Sequence, residues 1–154
     1  MTKLRGILVA AFGPLLAAAV PPSVAVQRVV VELRPDSAVA AYCSAWSTAD
    51  RAARNSLLAR VWDADGVYAD PTPTLASGRA ALSDTIATFH QRFPGARFRC
   101  SAPQVHHQAM RFTWELLGAD GAVQAQGMDF GELAVDGRIR RIVGFFGAPP
   151  SVAP

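Results

Sequence analysis

Lysine is almost absent from this sequence. Lys3 is the single lysine among 15 basic residues, so the chain beyond its first residues has no side-chain amine for Schiff-base chemistry. Gly-rich phosphate loops, the His-x-His, Cys-x-x-Cys and Glu-x-x-His spacings of metal sites, and basic stripes interleaved with aromatic residues are also missing. These absences argue against nucleotide, metal and nucleic-acid chemistry. We therefore expect no cofactor, no metal and no nucleic-acid partner.

The chain also lacks an apolar run of membrane-spanning length. The stretch from Ile7 to Val20 is too short to span a bilayer. Lys3 and Arg5 precede it and Ser23-Val24-Ala25 follows, an arrangement that predicts a signal peptide over residues 1–25. The protein is then exported, periplasmic or secreted, and has no membrane contact after leader removal. The alternative is a later start codon and a cytoplasmic protein.

Charge of either sign is scarce once the predicted leader is removed, since 13 basic residues then face 12 acidic ones. The remaining length suits one domain, which we assign to residues 26–147. The Ala- and Pro-rich residues 148–154 are predicted to be a disordered tail.

Cysteine is scarce as well, with only Cys43 and Cys100 present. In an exported protein the two could form one disulfide. They could equally be two small buried apolar side chains. Their positions, in a predicted helix and a later predicted strand, leave both interpretations open.

Helical spacing dominates the first half of the chain. Four apolar or aromatic residues after Pro35-Asp36 recur at i, i+3, i+4 and i+7, which predicts a helix: Val39, Tyr42, Cys43 and Trp46. Asp50 and Ser77 are placed to cap two further helices, the second of which should end at Pro94-Gly95.

From Ala96 onward the apolar period changes to two. Asp-Gly pairs at Asp120-Gly121 and Asp136-Gly137 favour tight hairpin turns. The pattern predicts a meander of four long strands: Arg97–Val105, Gln108–Leu117, Val123–Val135 and Arg138–Phe146. Three helices packed on a curved antiparallel sheet make an α+β fold.

The segment Gly66-Val67-Tyr68-Ala69-Asp70-Pro71 is the strongest local signal for a functional site. Proline cannot donate to a sheet ladder and pushes its predecessor into an extended conformation, so a short strand should stop here. The Asp70 carboxylate is then left at a strand end, where it can reach a pocket mouth. The alternative is that Asp70 only shapes the turn.

Several motifs in order resemble one known superfamily. They are Ala41-Tyr42-Cys43-Ser44-Ala45-Trp46-Ser47-Thr48-Ala49-Asp50, Val67-Tyr68-Ala69-Asp70-Pro71, Ser77-Gly78-Arg79-Ala80-Ala81-Leu82, Met128-Asp129-Phe130 and Ile142-Val143-Gly144-Phe145-Phe146-Gly147. Their layout resembles the nuclear transport factor 2 (NTF2)-like superfamily, which includes SnoaL-like polyketide cyclases and ketosteroid isomerases. The resemblance covers about residues 38–147 and implies a cone-shaped fold.

The resemblance to ketosteroid isomerases implies three catalytic residues, because Tyr42, Asp70 and Asp129 match that family's Tyr, Asp-Pro and buried Asp positions. It implies a cofactor-independent isomerase or cyclase that moves a proton next to a carbonyl. Asp70 would take the proton, while Tyr42 and a protonated Asp129 would hydrogen-bond the enolate oxygen. If Asp129 faces inward, burial should raise its pKa.

An apolar pocket between helices and sheet is expected to hold a small apolar or carbonyl-containing ligand. Seven residues are predicted to line it: Trp46, Trp62, Ile86, Phe112, Trp114, Leu116 and Phe146. Trp46 and Trp114 stand where the isomerases carry smaller residues, so the ligand should be smaller than a steroid or differently shaped.

Two other functions remain open. The domain could be a non-catalytic small-molecule-binding or interaction module, since folds are reused in this way. It could also be a hydrolase in which Asp70 and His90 position water. In each case we expect a homodimer that packs through the outer sheet face, with Val143 and Phe145 as candidates for the contact.

Overall fold

The computed structural model describes residues 33–151, and the predicted leader lies outside this range. Three helices and seven strands follow in the order α1 Pro35–Trp46, α2 Arg51–Val61, β1 Trp62–Ala69, β2 Leu75–Ser77, α3 Gly78–Arg92, β3 Arg97–Cys100, β4 Gln104–His106, β5 Ala109–Leu117, β6 Val123–Leu133 and β7 Ile139–Phe146. Residues 147–151 have no regular secondary structure. The predicted α+β fold with three helices against one curved sheet is confirmed.

The helices begin where the sequence provides starting signals. Pro35 occupies the first turn of α1, where its missing N–H costs nothing. Asp50 caps α2 as predicted, with its carboxylate accepting from the Ala53 N–H at 2.8 Å. Ser77 occupies the cap position of α3, but its side chain makes no capping bond, so that prediction is right in position and wrong in chemistry.

The sheet has the strand order β2-β1-β7-β6-β5-β3, with β4 also paired to β5. All pairings are antiparallel except β1 with β7, which is parallel. The sheet is therefore mixed, where the sequence suggested antiparallel pairing throughout. The chain between β1 and β7 runs through α3 and the whole meander, a connection long enough for a parallel pair.

The strand predicted at Arg97–Val105 is two strands, β3 and β4. Pro103 lies between them and has no N–H for the ladder. Both strands pair with β5, since Cys100 of β3 lies opposite Trp114 and Gln104 of β4 lies opposite Arg111.

The core lies between the helices and the inner face of the sheet. On β5 the buried side chains alternate along the strand: Met110, Phe112, Trp114 and Leu116. α1 covers them with Ala38, Val39 and Ala45, each no more than 1% exposed. A Cys43–Cys100 disulfide joins α1 to β3, which settles the question that the sequence left open.

Within residues 33–151, no helix has both the length and the apolar character needed to cross a bilayer.

Candidate functional site

The register of the sheet places both predicted acids in one row across four strands. Asp129 on β6 pairs with Phe112 on one side and with Gly144 of β7 on the other. Ala69, the last residue of β1, pairs with Val143. Asp70 is the next residue, so it extends the row on the far side of Gly144.

Gly144 leaves a gap between the two carboxyl groups. A Cβ atom at this buried position would lie 3.1 Å from Asp129 Oδ1 and 3.6 Å from the Cβ of Asp70. Any larger residue would therefore intrude between the two acids. Two carboxyl groups that are 59 positions apart in sequence thus face the same small space.

Asp129 is the buried member of the pair, with 5% of its surface exposed. Its Oδ1 accepts a hydrogen bond of 2.8 Å from the indole N–H of Trp114. Burial raises the pKa of Asp129 from its ordinary 3.8 to about 6, and the charge of Asp70 adds to the rise. The hydrogen bond from Trp114 acts in the opposite direction on this pKa, because it favours the carboxylate.

Tyr42 projects from α1 into the same region. Its ring stacks on Trp62 at a centroid distance of 5.7 Å and meets Phe112 edge-on at 6.1 Å. Burial, followed by the charge of Asp129, raises the pKa of Tyr42 well above its ordinary value. The phenol therefore stays protonated at neutral pH and can act as a hydrogen-bond donor.

Asp70 is only half-buried, and its carboxylate accepts three hydrogen bonds. The Tyr68 hydroxyl donates to Oδ2 at 3.0 Å, and both the backbone N–H and the hydroxyl of Thr72 donate to Oδ1. The two hydrogen bonds from Thr72 belong to the local turn that an Asp-Pro sequence favours. A carboxylate offers about four lone-pair positions, so one remains for a ligand proton. Asp70 thus shapes the turn and also faces the gap above Gly144.

Tyr68 is a site residue that the sequence interpretation missed. It is 6% exposed, contacts Trp46 at a centroid distance of 5.2 Å and bonds directly to Asp70. Burial, and then the charge of Asp70, raise the pKa of Tyr68 above its ordinary value. The signal was present: residues two apart on a strand share a face, so Tyr68 had to lie beside Asp70.

The sequence profile of the SnoaL-like domain matches residues 39–142. The chain belongs to the SnoaL-like family. A proposed isomerase of that family from Agrobacterium tumefaciens str. C58 is 32% identical, with a TM-score of 0.67 over 72% of this chain and 95% of that one. No curated protein matches the sequence significantly.

Two more distant structures share the fold of this SnoaL-like domain. A proposed polyketide cyclase from Sinorhizobium meliloti is 17% identical, with a TM-score of 0.54 over 70% of this chain and 92% of that one. A protein from Catenulispora acidiphila DSM 44928 with a ketosteroid isomerase-like fold, solved with trimethylamine, is 14% identical with a TM-score of 0.59, over 71% of this chain and 85% of that one.

Six of the seven residues predicted to line the pocket are buried in the core of the SnoaL-like domain: Trp46, Trp62, Ile86, Phe112, Trp114 and Leu116. Phe146 differs, because it is 53% exposed at the end of β7 and meets Trp114 edge-on at 5.7 Å. It therefore lies at the rim rather than on the wall, since β7 ends at this residue.

Indole rings occupy much of the space that a pocket would need. Trp62 is fully buried, while Trp46 and Trp114 are each 8% exposed and so lie just beneath the surface. The glycine at 127 makes room for one of them, because a Cβ there would lie 2.3 Å from Trp114 Cζ2. The site is a tightly filled cluster in which any ligand must be small or must displace a ring.

Two open grooves lie on the surface outside the gap between the two acids, and Trp114 lines the second of them. A groove of about 590 Å³ runs between α1 and β3, and one of about 530 Å³ lies where β5 and β6 meet residues 147–149. Neither groove is lined by Tyr42, Asp70 or Asp129.

His90 occupies a different environment from the two acids. Its Nε2 is buried and has no hydrogen-bond partner within residues 33–151. Burial lowers the pKa of His90, and the nearby positive charge of Arg54 lowers it further. In the same part of the chain, no group of three or more His, Cys, Asp or Glu side chains could hold a metal ion.

Proposed function

We propose that this domain binds a small carbonyl compound between Tyr42, Asp129 and Asp70 and moves a proton next to the carbonyl. The activity would be that of a cofactor-independent isomerase or cyclase. One observation carries the proposal: two acids in different environments flank the same gap above Gly144. Such a pair can divide the roles of base and of proton-bearing donor.

The chemistry follows from those environments. The Asp70 carboxylate takes a proton from the carbon next to the carbonyl, and the electrons of that C–H bond move to form an enolate. Tyr42 and protonated Asp129 donate hydrogen bonds to the enolate oxygen, where charge develops. An isomerase returns the proton from Asp70 to another carbon, whereas in a cyclase the enolate carbon attacks a second carbonyl.

The pKa of Asp129 gives this mechanism a pH dependence. Since that pKa is raised to about 6, the protonated donor is abundant below pH 6 and declines above it. Turnover in the free domain should therefore fall as pH rises through about 6, unless a bound ligand holds the proton on Asp129.

The filled interior favours a small substrate. Trp46 and Trp114 lie just below the surface, so a modest ring movement would admit a compact molecule next to Asp129. The trimethylamine in the C. acidiphila structure supports the view that this fold accepts very small molecules.

The proposal can be tested without knowledge of the natural substrate. Deuterium uptake from heavy water at the α-carbon of a panel of small ketones and enones reports proton abstraction directly. Asp70→Asn should reduce uptake on order of 100-fold, the scale of a lost general base. Asp65→Asn, an exposed acid on the same strand, is the matched control and should leave uptake unchanged. Equal rates for wild type and Asp70→Asn would refute the mechanism.

The second candidate is a non-catalytic binding module. The indole-filled interior and the three hydrogen bonds that already engage Asp70 favour it. A thermal-shift screen of the same compounds separates the two functions. Compounds that stabilise wild type but not Tyr42→Phe, without deuterium uptake, would support the module.

We also propose export and a homodimer. The Cys43–Cys100 disulfide supports an oxidising compartment, because such bonds are rare in the cytosol. Mass spectrometry of the native protein tests export, since a chain that begins at Met1 would contradict leader cleavage. Exposed Phe130 and Phe145 on the outer sheet face support self-association.

A further inference from the structure

The Asp70 carboxylate is held from two sides, and the two sides engage different oxygen atoms. The turn that follows this residue provides two donors to Oδ1, which are the backbone N–H of Thr72 at 2.8 Å and the Thr72 hydroxyl. The strand that precedes it provides one donor to Oδ2, the Tyr68 hydroxyl at 3.0 Å. Each carboxylate oxygen has two lone pairs. Both lone pairs of Oδ1 are therefore engaged, whereas Oδ2 keeps one free.

We propose that Oδ2 is the atom of Asp70 that takes the substrate proton, and that Tyr68 is the positioning residue that keeps its free lone pair directed at the gap above Gly144. The assignment of the base atom rests on the proposed function. The contact between Tyr68 and Asp70 does not rest on it, because this hydrogen bond is present in the free protein.

The fold brings the Tyr68 phenol to Oδ2 from the inner side of the sheet. Tyr68 lies opposite Ile142 in the β1–β7 pairing, and Ile142 is fully buried. The Tyr68 ring packs on the ring of Trp46 at a centroid distance of 5.2 Å, so close packing fixes the direction of the phenol. Thr72, in contrast, lies in an exposed turn. Oδ2 is therefore on the inner side of the carboxyl group, where the gap above Gly144 opens.

The turn keeps Oδ1 engaged independently of Tyr68. The Thr72 Oγ1 atom accepts a hydrogen bond of 3.2 Å from the Thr74 N–H, which leaves the Thr72 hydroxyl proton for Asp70. The backbone N–H of Thr72 provides the second bond to Oδ1. A substitution of Thr72 therefore changes the turn side of the carboxylate, whereas a substitution of Tyr68 changes the side that faces the gap.

The free lone pair of Oδ2 accounts for both halves of the proton transfer. The C–H bond next to the carbonyl breaks, its electron pair forms the enolate, and the proton forms an O–H bond on Oδ2. Asp70 is then neutral, while the Tyr68 hydroxyl still donates to the other lone pair of that oxygen. The new O–H bond thus stays directed at the substrate, to which the proton returns. Burial, followed by the charge of Asp70, raises the pKa of Tyr68, so the phenol keeps its own proton throughout.

Two substitutions each remove one hydroxyl donor from opposite sides of this carboxylate. Tyr68→Phe removes the donor to Oδ2 and keeps the ring, while Thr72→Val removes the hydroxyl donor to Oδ1 and keeps the backbone N–H. Deuterium uptake is measured for both with a ketone that wild type exchanges. Tyr68→Phe should lower kcat about tenfold with KM little changed, because the base is misplaced while the contacts to the ligand remain. Thr72→Val should have the smaller effect of the two.

The pH profile of uptake separates a positioning role from a loss of packing. The Tyr68 hydroxyl favours the charged form of Asp70, so Tyr68→Phe should move the acid limb of the profile to higher pH by about one unit. A substitution that only loosened the core would leave this limb in place. Equal losses of kcat in Tyr68→Phe and Thr72→Val, or an acid limb that does not move in Tyr68→Phe, would overturn the proposal.

A measurement without substrate tests the contact itself. The chain has two tyrosines, so the ζ-carbon signals of ¹³C-labelled tyrosine are assigned with Tyr42→Phe. On acidification the Tyr68 signal should shift as Asp70 takes up a proton. The shift should disappear in Asp70→Asn and persist in Asp65→Asn, an exposed acid on the same strand. An identical response in Asp70→Asn and wild type would reject the positioning role even where uptake is fast. Absence of uptake with a normal Tyr68 response would instead reject the proposed function, and the base assignment with it.

The design also covers a Tyr68→Phe variant that does not fold, as judged by far-UV circular dichroism. The NMR comparison of wild type with Asp70→Asn then decides whether Tyr68 holds the carboxylate. Thr72→Val decides which oxygen is the base, because it disturbs Oδ1 alone. A loss of kcat in Thr72→Val as large as that in Asp70→Asn would place the base on Oδ1 and overturn the proposal.

Discussion

Around the middle of β6 and β7, the inner and outer faces differ in side-chain size in the reverse of the usual way. Around Asp129 the buried inner face carries small or acidic residues, namely Gly127, Asp129, Gly131 and Gly144, whereas large apolar residues fill the other end of this face. The outer face carries larger apolar ones, with Phe130 at 40% and Phe145 at 53% exposure. On the inner face, large side chains from other elements fill the core, so these strands carry small residues that leave room for them. Outside, apolar surface remains available for contact.

The largest effect should come from filling the inner face. A Cβ at Gly127 would lie 2.2 Å from the Phe145 carbonyl oxygen and 2.3 Å from Trp114 Cζ2. Gly127→Val should therefore lower the free energy of unfolding by about 3 kcal/mol or more, measured by urea denaturation. Met128→Val, the next residue on the outer face, is the matched control and should cost about 1 kcal/mol or less. Equal losses would mean that the faces do not differ in packing.

The next effect concerns the buried charge of the inner face. The pKa of Asp129 is raised in the folded protein, so the native state binds its proton more tightly than the unfolded chain does. Stability should thus be unaffected by this group below pH 4, fall as pH rises through about 6, and stay lower above it. The difference between a pKa of 3.8 and one of about 6 corresponds to about 3 kcal/mol.

Asp129→Asn tests this pH dependence, because an amide stays neutral and can still accept from Trp114. The variant should lose the decline between pH 4 and 6 and exceed wild type in stability at pH 8, measured by urea denaturation across pH. Asp65→Asn, with an exposed side chain, should follow the wild-type curve. Parallel curves for Asp129→Asn and wild type would contradict the raised pKa.

Local patterns in the sequence predict most of the helices and strands, because each of these patterns involves residues that are close together in the sequence. The i, i+3, i+4, i+7 spacing predicts α1, and alternation predicts β5. The parallel β1–β7 pairing was not predictable in this way, since it joins segments separated by the whole meander. The Cys43–Cys100 disulfide is non-local for the same reason.

In the candidate site, too, local motifs predict the residues, whereas the contacts between distant segments depend on the fold. Tyr42, Asp70 and Asp129 could be named from motifs, but the partners of the two acids could not. The Trp114–Asp129 bond depends on the β5–β6 register, and a slip of one residue would turn the indole to the other face. Tyr68 was the exception, because its position two residues before Asp70 placed it on the same face.

A smaller effect is expected from the single hydrogen bond on Asp129. Trp114→Phe removes the indole N–H that stabilises the carboxylate while keeping an aromatic ring in place. The pKa of Asp129 should rise by about one, equivalent to about 1.4 kcal/mol. NMR titration measures it, with the outer-face substitution Thr113→Val as control. An unchanged pKa in Trp114→Phe would show that this bond does not stabilise the carboxylate.

A substitution on the outer face should have the smallest effect on the stability of the folded chain. Its main effect should be on dimer formation. Phe145 is half exposed, so Phe145→Glu should change the unfolding free energy of the isolated protomer by only about 0.5 kcal/mol. In a homodimer that buries this face, two new carboxylates would oppose each other. Size-exclusion chromatography with light scattering should then show a dimer for wild type and a monomer for the variant. Val123→Ser, at an exposed position near the start of β6, should remain dimeric. A monomeric wild type would contradict the proposed homodimer.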